Sequence, residues 1–83
     1  MTLNKRIPAN HFQTPDLALC AALCCFGYQI ERIEKNGQRA FFSIIKDEKI
    51  DELINKFWGH QLKIDPLKYF NSTKEIKARI FNE

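Results

Sequence analysis

An uncharged, mostly apolar run extends without interruption from Leu17 to Phe26, with Leu17, Leu19, Leu23 and Phe26 set among Ala and Cys. At about 100° per residue these side chains point in several directions, and a helix that is apolar on all sides is buried on all sides. Signals bracket the run at both ends. Thr14 is a good N-cap type, and Pro15 fits the first helical position. Asp16 complements the positive end of the helix dipole, and Gly27 suits a left-handed residue just past the end. The pattern predicts a central core helix that opens at Thr14.

After Gly27 the period changes to alternation. Tyr28–Lys35 and Gln38–Ile45 predict two strands, joined at Asn36-Gly37 as a type I′ hairpin. A two-residue loop there sets Glu34 opposite Arg39 and Ile33 opposite Ala40. Ile33, Ala40, Phe42 and Ile44 then share one face, while Tyr28, Ile30, Phe41 and Ile45 share the other. Apolar residues on both faces predict a sheet covered on both sides. Asp47 predicts the cap of a second helix, Glu48 to Trp58, closed by Gly59. Its apolar stripe is Ile50, Leu53, Ile54, Phe57 and Trp58, with Trp58 expected to be buried.

His60-Gln61-Leu62-Lys63-Ile64 is the candidate third strand. Asp65-Pro66 repeats the cap-and-proline signal and opens a last helix that runs to about Phe81. Ser72-Thr73-Lys74-Glu75 is also a capping box, so a restart at Ser72 competes with the favoured continuous helix. Leu67, Phe70, Ala78 and Phe81 lie on one side of this helix; Tyr69, Ile76 and Ile80 lie well around from them. The order α-β-β-α-β-α predicts a small single α+β domain over residues 14–83. It has a three-stranded sheet with a β-hairpin and three helices. Residues 1–13 form a polar, partly extended lead.

Several of these positions occur together in a familiar order. Phe12-x-Thr14-x-Asp16-Leu17-x-Leu19-x-Ala21-x-Leu23-x3-Gly27 is followed by Phe41-Phe42, Phe57-Trp58 and Asp65-Pro66-x3-Phe70. Lys74-x-Ile76-Lys77-x-Arg79-Ile80 closes the series. The chain resembles, over residues 12–81, an uncharacterised family of small bacterial and phage-encoded proteins, a domain of unknown function. The resemblance implies the α+β order above and a phage or mobile-element origin. It implies no activity.

Composition narrows the function classes. The 83 residues are 45% hydrophobic, with seven Phe. That suits one domain with a real core and argues against disorder. No apolar run approaches the roughly 20 residues of a membrane span, and residues 1–8 lack the apolar centre of a signal peptide. A soluble cytoplasmic protein without membrane contact is expected. Cys20, Cys24 and Cys25 all fall in the first helix, as C-x3-C-C. Small buried thiols in a reducing compartment explain them more simply than a zinc site or a disulfide. Glycine-rich phosphate loops and paired metal-ligand motifs are absent. A Cys25–His60 pair would place the thiol on an apolar helix, where burial raises its pKa. No enzyme activity, cofactor or metal is expected.

Two binding classes remain. The net charge is +3, and residues 60–83 carry five basic residues against three acidic ones. Lys63, Lys68, Lys74, Lys77 and Arg79, with Tyr69 and Phe70 among them, are the candidate nucleic-acid contacts. The last helix is also apolar over about half its circumference, more than the roughly 100° that one neighbour needs. A protein partner or self-association is the favoured use of that excess, with Tyr69, Ile76 and Ile80 as candidate anchors. The expected function is therefore that of a small accessory or regulatory protein acting by binding a protein, with nucleic-acid binding as the alternative.

Overall fold

The computed structural model describes residues 10–82. Along the chain it places β1 (His11–Thr14), α1 (Leu17–Cys25), β2 (Ile30–Asn36), β3 (Arg39–Ile45), α2 (Ile50–Trp58) and α3 (Pro66–Asn82). The expected class, the three helices and the three-stranded sheet are all present. The sheet is antiparallel with order β1-β3-β2.

The third strand is not His60–Ile64. It is His11–Thr14, which pairs with the far edge of β3 and sets Phe12 opposite Ile44 and Thr14 opposite Phe42. The described part of the expected lead thus belongs to the sheet; residues 1–9 lie outside the described residues. His60–Ile64 instead links α2 to α3 without regular structure, with Leu62 and Ile64 half-buried.

Because Thr14 is a strand residue, it does not cap α1. Its Oγ accepts from the Asp16 N–H at 3.1 Å and closes the turn, while Asp16 is the cap and accepts from the Leu19 N–H at 3.2 Å. At the other end the Tyr28 N–H reaches Leu23 O at 3.2 Å and the Gly27 N–H reaches Cys24 O at 3.1 Å, with Gly27 at φ +95°. This is the Schellman closure that Gly favours. Between these ends, Leu19 to Leu23 are all buried, as expected for a core helix.

The hairpin register differs from expectation by two residues. Asn36 faces Arg39, so the loop is Gly37-Gln38, with Gly37 at φ +67°. A glycine first in a two-residue loop is the type II′ arrangement. Glu34 therefore faces Phe41 rather than Arg39, and its ion pair is with Arg32 at 3.6 Å. A slip of two keeps every side chain on its expected face. The exception is Ile30. The register breaks between Ile30 and Arg32, and Ile30 faces Ile44. An extra residue in one strand reverses the alternation beyond it, so Ile30 joins the inner face.

The core is built from Leu19, Cys20, Ala21 and Leu23 of α1, Ile33, Phe42 and Ile44 of the sheet, Ile50 of α2 and Ile76 of α3. The opposite face of the sheet is not covered as expected. Ile45 is exposed there, and Phe41 lies half-exposed beneath Arg39, whose guanidinium carbon is 5.5 Å from the ring centroid. Trp58 is also a correction, being 58% exposed. At i+8 it falls about 80° from Ile50 on the helix, at the margin of the stripe. Its ring stands edge-on to Phe57, with centroids 4.9 Å apart.

Candidate functional site: the two faces of the last helix

Asp65 starts α3. Its side chain accepts from the Lys68 N–H at 2.9 Å, and its carbonyl accepts from the Tyr69 N–H at 3.0 Å. Pro66 takes the first position, where no N–H is needed. The helix continues through Ser72 without a break. Ser72 is turned inward, and its hydroxyl donates to the Ala21 carbonyl at 3.3 Å. Thr73 donates to the Tyr69 carbonyl at 3.0 Å. Both hydroxyls are thus used within the α1–α3 contact or within α3, and neither restarts a helix.

The anchors expected to meet a partner sit on the inner side. Ile76 is 3% exposed, and Tyr69 and Ile80 are half-buried against the core. Burial against α1 and its neighbours removes Ile76 as a surface anchor and leaves little of Tyr69 and Ile80. The reason is geometric: Tyr69, Ile76 and Ile80 lie within a narrow arc at helical spacing, and that arc is the one that fits the core.

The opposite side is open. Leu67 is 66% exposed, Phe70 57% and Phe81 84%. On a helical projection Lys77, Phe70, Phe81, Lys74, Leu67 and Ala78 fall, in that order, within an arc of about 100°. All six are exposed. The Lys74 ammonium lies 5.3 Å from the centroid of the Phe70 ring, within cation–π range. No carboxylate falls in the arc; Glu75 lies beyond its edge. The face is apolar and cationic at once.

The five basic candidates are dispersed. Lys74 and Lys77 share the open face. Lys68 lies past its edge, and Lys63 lies in the link before the helix. Arg79 is turned inward, half-buried, and donates to the Ile30 carbonyl at 3.4 Å. The open face was visible in the sequence as an excess of apolar arc. Which half faced outward was not, because both halves have helical spacing.

A concavity of about 680 Å³ lies between the end of α1 and the start of α2, with Phe26, Ile45 and Leu53 in its wall. Across it the Tyr28 hydroxyl donates to Asp47 Oδ1 at 2.5 Å, and the same oxygen accepts from the Lys49 N–H at 3.0 Å. Burial, then this bond, pushes the Tyr28 phenol up to about 12. The bond from Tyr28 is the main cause that holds Asp47 below the usual carboxylate range. Among the described residues no group of three or more His, Cys, Asp or Glu is placed to hold a metal ion, and no helix is long and apolar enough to cross a membrane.

The family profile described as Domain of unknown function (DUF5659) matches residues 9–82, and the chain belongs to that family. No curated protein and no solved structure matches it.

Proposed function

We propose that this member of the DUF5659 family is a non-enzymatic accessory protein whose open α3 face docks an acidic, amphipathic segment of a partner protein. The observation that supports it is the exposure of Leu67, Phe70 and Phe81 on one face, interleaved with Lys74 and Lys77 and free of carboxylates. Exposed apolar side chains grouped on one helix face supply anchors, and the two ammonium groups select for negative charge beside them. A second copy of the same face would bring Lys74 and Lys77 against their equals, which opposes self-association. Nucleic acid would meet only two of the five basic residues here, and leucine offers bases no stacking surface. A cytoplasmic setting belongs to this reading, since three free cysteines suit a reducing compartment.

The test is affinity capture from the host cell with nuclease present, repeated with Phe70→Ala, Phe81→Ala and Lys74→Glu/Lys77→Glu. The proposal expects a partner whose crosslinked segment is acidic and apolar. Each Phe variant should weaken binding by about tenfold or more, the effect of losing an interface anchor. Binding that survives both Phe variants would refute it. Nuclease-sensitive binding that falls steeply with salt and is lost in the double Glu variant would establish the nucleic-acid alternative instead.

A further inference from the structure

The sheet ends on β2, because the order β1-β3-β2 leaves one side of that strand without a neighbour among the described residues. From Glu31 to Asn36 every residue of β2 except Ile33 is exposed. An edge of this kind presents free N–H and C=O groups to a further strand. Their phase follows from the hairpin. Asn36 and Arg39 close the two-residue loop, and such a closing pair is hydrogen-bonded. Alternation then aims the backbone groups of Arg32, Glu34 and Asn36 at β3, and those of Ile33 and Lys35 at the open edge. At the start of β2 the Ile30 carbonyl is already used, accepting from Arg79 of α3 at 3.4 Å.

Charges on an edge strand ordinarily repel a second strand. Glu31-Arg32-Ile33-Glu34-Lys35 differs, because read in reverse it carries the opposite sign at each charged position. Two copies of one strand, paired antiparallel about a two-fold axis, set one residue against its own copy. Within this segment, centring on any of the four charged residues sets a charge against itself. Centring on Ile33 sets Arg32 against Glu34 twice and Ile33 against Ile33. Ile33 is also a residue whose backbone groups face the edge. Glu31 sits at the bulge and is bonded to His11, so the register rests on Arg32 and Glu34.

We propose that β2 pairs antiparallel with β2 of a second copy of this chain, centred on Ile33, and joins two three-stranded sheets into one of six strands. The two Ile33 residues exchange backbone N–H to C=O bonds across the axis. Their side chains meet on the inner face and continue the core, to which Ile33 belongs with 9% exposure. On the outer face each strand holds Arg32 and Glu34 3.6 Å apart. The second copy closes these pairs into a group of four charges that alternate in sign. The open face of α3 takes no part, so this pairing and the docking proposed above stand or fall separately.

The experiment is sedimentation velocity of the 83-residue chain from micromolar to millimolar concentration, with amide hydrogen exchange at both ends of that range. The proposal expects a reversible dimer. Arg32→Glu and Glu34→Arg should each weaken it by about tenfold or more, since symmetry repeats each clash. Both side chains are exposed in the single chain, at 63% and 54%, so the variants should keep the fold, which thermal melts check. Arg32→Glu/Glu34→Arg should restore the dimer. An equimolar mixture of the two single variants should restore it as well, because one strand is then acidic and the other basic at both positions. A role in folding alone does not predict that rescue. The Ile33 amide should gain protection at high concentration, while the Arg32 and Glu34 amides are protected throughout. A chain that stays monomeric across the range, a dimer that neither single substitution weakens, or a mixture that fails to dimerise would each overturn the proposal. So would new protection on His11–Thr14 instead of Ile33, or a dimer lost in Phe70→Ala.

Discussion

His60 holds a backbone conformation that glycine favours. Its φ is +60°, the one positive value among non-glycine described residues. The cause is the closure of α2. The Gln61 N–H reaches Lys56 O at 2.8 Å and the His60 N–H reaches Phe57 O at 3.1 Å. This Schellman motif makes His60, not Gly59, the left-handed residue. His60→Gly should therefore stabilise the protein by about 1 kcal/mol, since a left-handed L-residue costs roughly 1–2 kcal/mol. In a domain of this size that raises Tm by about 4–8 °C. Gly27→Ala is the mirror experiment. A Cβ at Gly27 meets nothing within 4 Å, so its effect is torsional and should lower stability by about 1 kcal/mol. Thermal melts check both, and an unchanged or lower Tm for His60→Gly would show that its side chain supports the link. The glycines in the sequence marked the helix ends correctly. Which of two adjacent residues turns left-handed depends on the last helical hydrogen bond, which the residue types at 59 and 60 do not specify.

Tyr28, just ahead of β2, is tied to Asp47, just ahead of α2, and the bond between them joins two elements at a point open to titration. Tyr28 has a folded pKa near 12, against 10.0 for the ordinary phenol. A raised pKa means the folded state holds the proton more tightly. The stabilising contribution is thus complete below pH 10 and is lost as the pH rises through 12. Asp47 is lowered from 3.8, so its contribution is present above that value and lost as the pH falls through the folded pKa. Titration of tyrosinate absorbance should show a late step near pH 12 that Tyr28→Phe removes and Asp47→Asn moves earlier. A late step that persists in Tyr28→Phe would refute the assignment. At this scale the alternation of β2 and β3 was readable, because a slip of two residues leaves the faces unchanged. The bulge that turns Ile30 inward was not, since it depends on pairing with Ile44 across the sheet. The stripe of α2 was readable except at Trp58, where an arc of apolar residues is wider than the surface it packs on.

The whole molecule is assembled by contacts that local pattern does not rank. His11–Thr14 and His60–Ile64 are both short segments able to lie along β3, and the choice between them is tertiary. The closure at Gly59–Gln61 directs the second segment away, and its Leu62 and Ile64 line a shallow recess with Phe57, Pro66 and Tyr69. The same limit applied to α3, whose two apolar faces have equal periodicity. The side chains that pack beside Ala21 and Leu23 decide which face enters the core. This division has a stability consequence that is independent of any partner. Ile76→Ala removes a buried side chain and should cost about 2–5 kcal/mol, a large share of the stability of so small a domain. Phe70→Ala and Phe81→Ala remove exposed side chains and should each change stability by less than about 0.5 kcal/mol. Denaturant unfolding of the three variants gives the comparison directly. If Phe70→Ala or Phe81→Ala proved as costly as Ile76→Ala, the outer face would already be packed in solution, against the protein itself or another copy. It would then be unavailable to a partner. If only Ile76→Ala is costly, Phe70 and Phe81 are apolar at positions where the fold gains nothing from them. That face is then left open, as the docking proposed above requires.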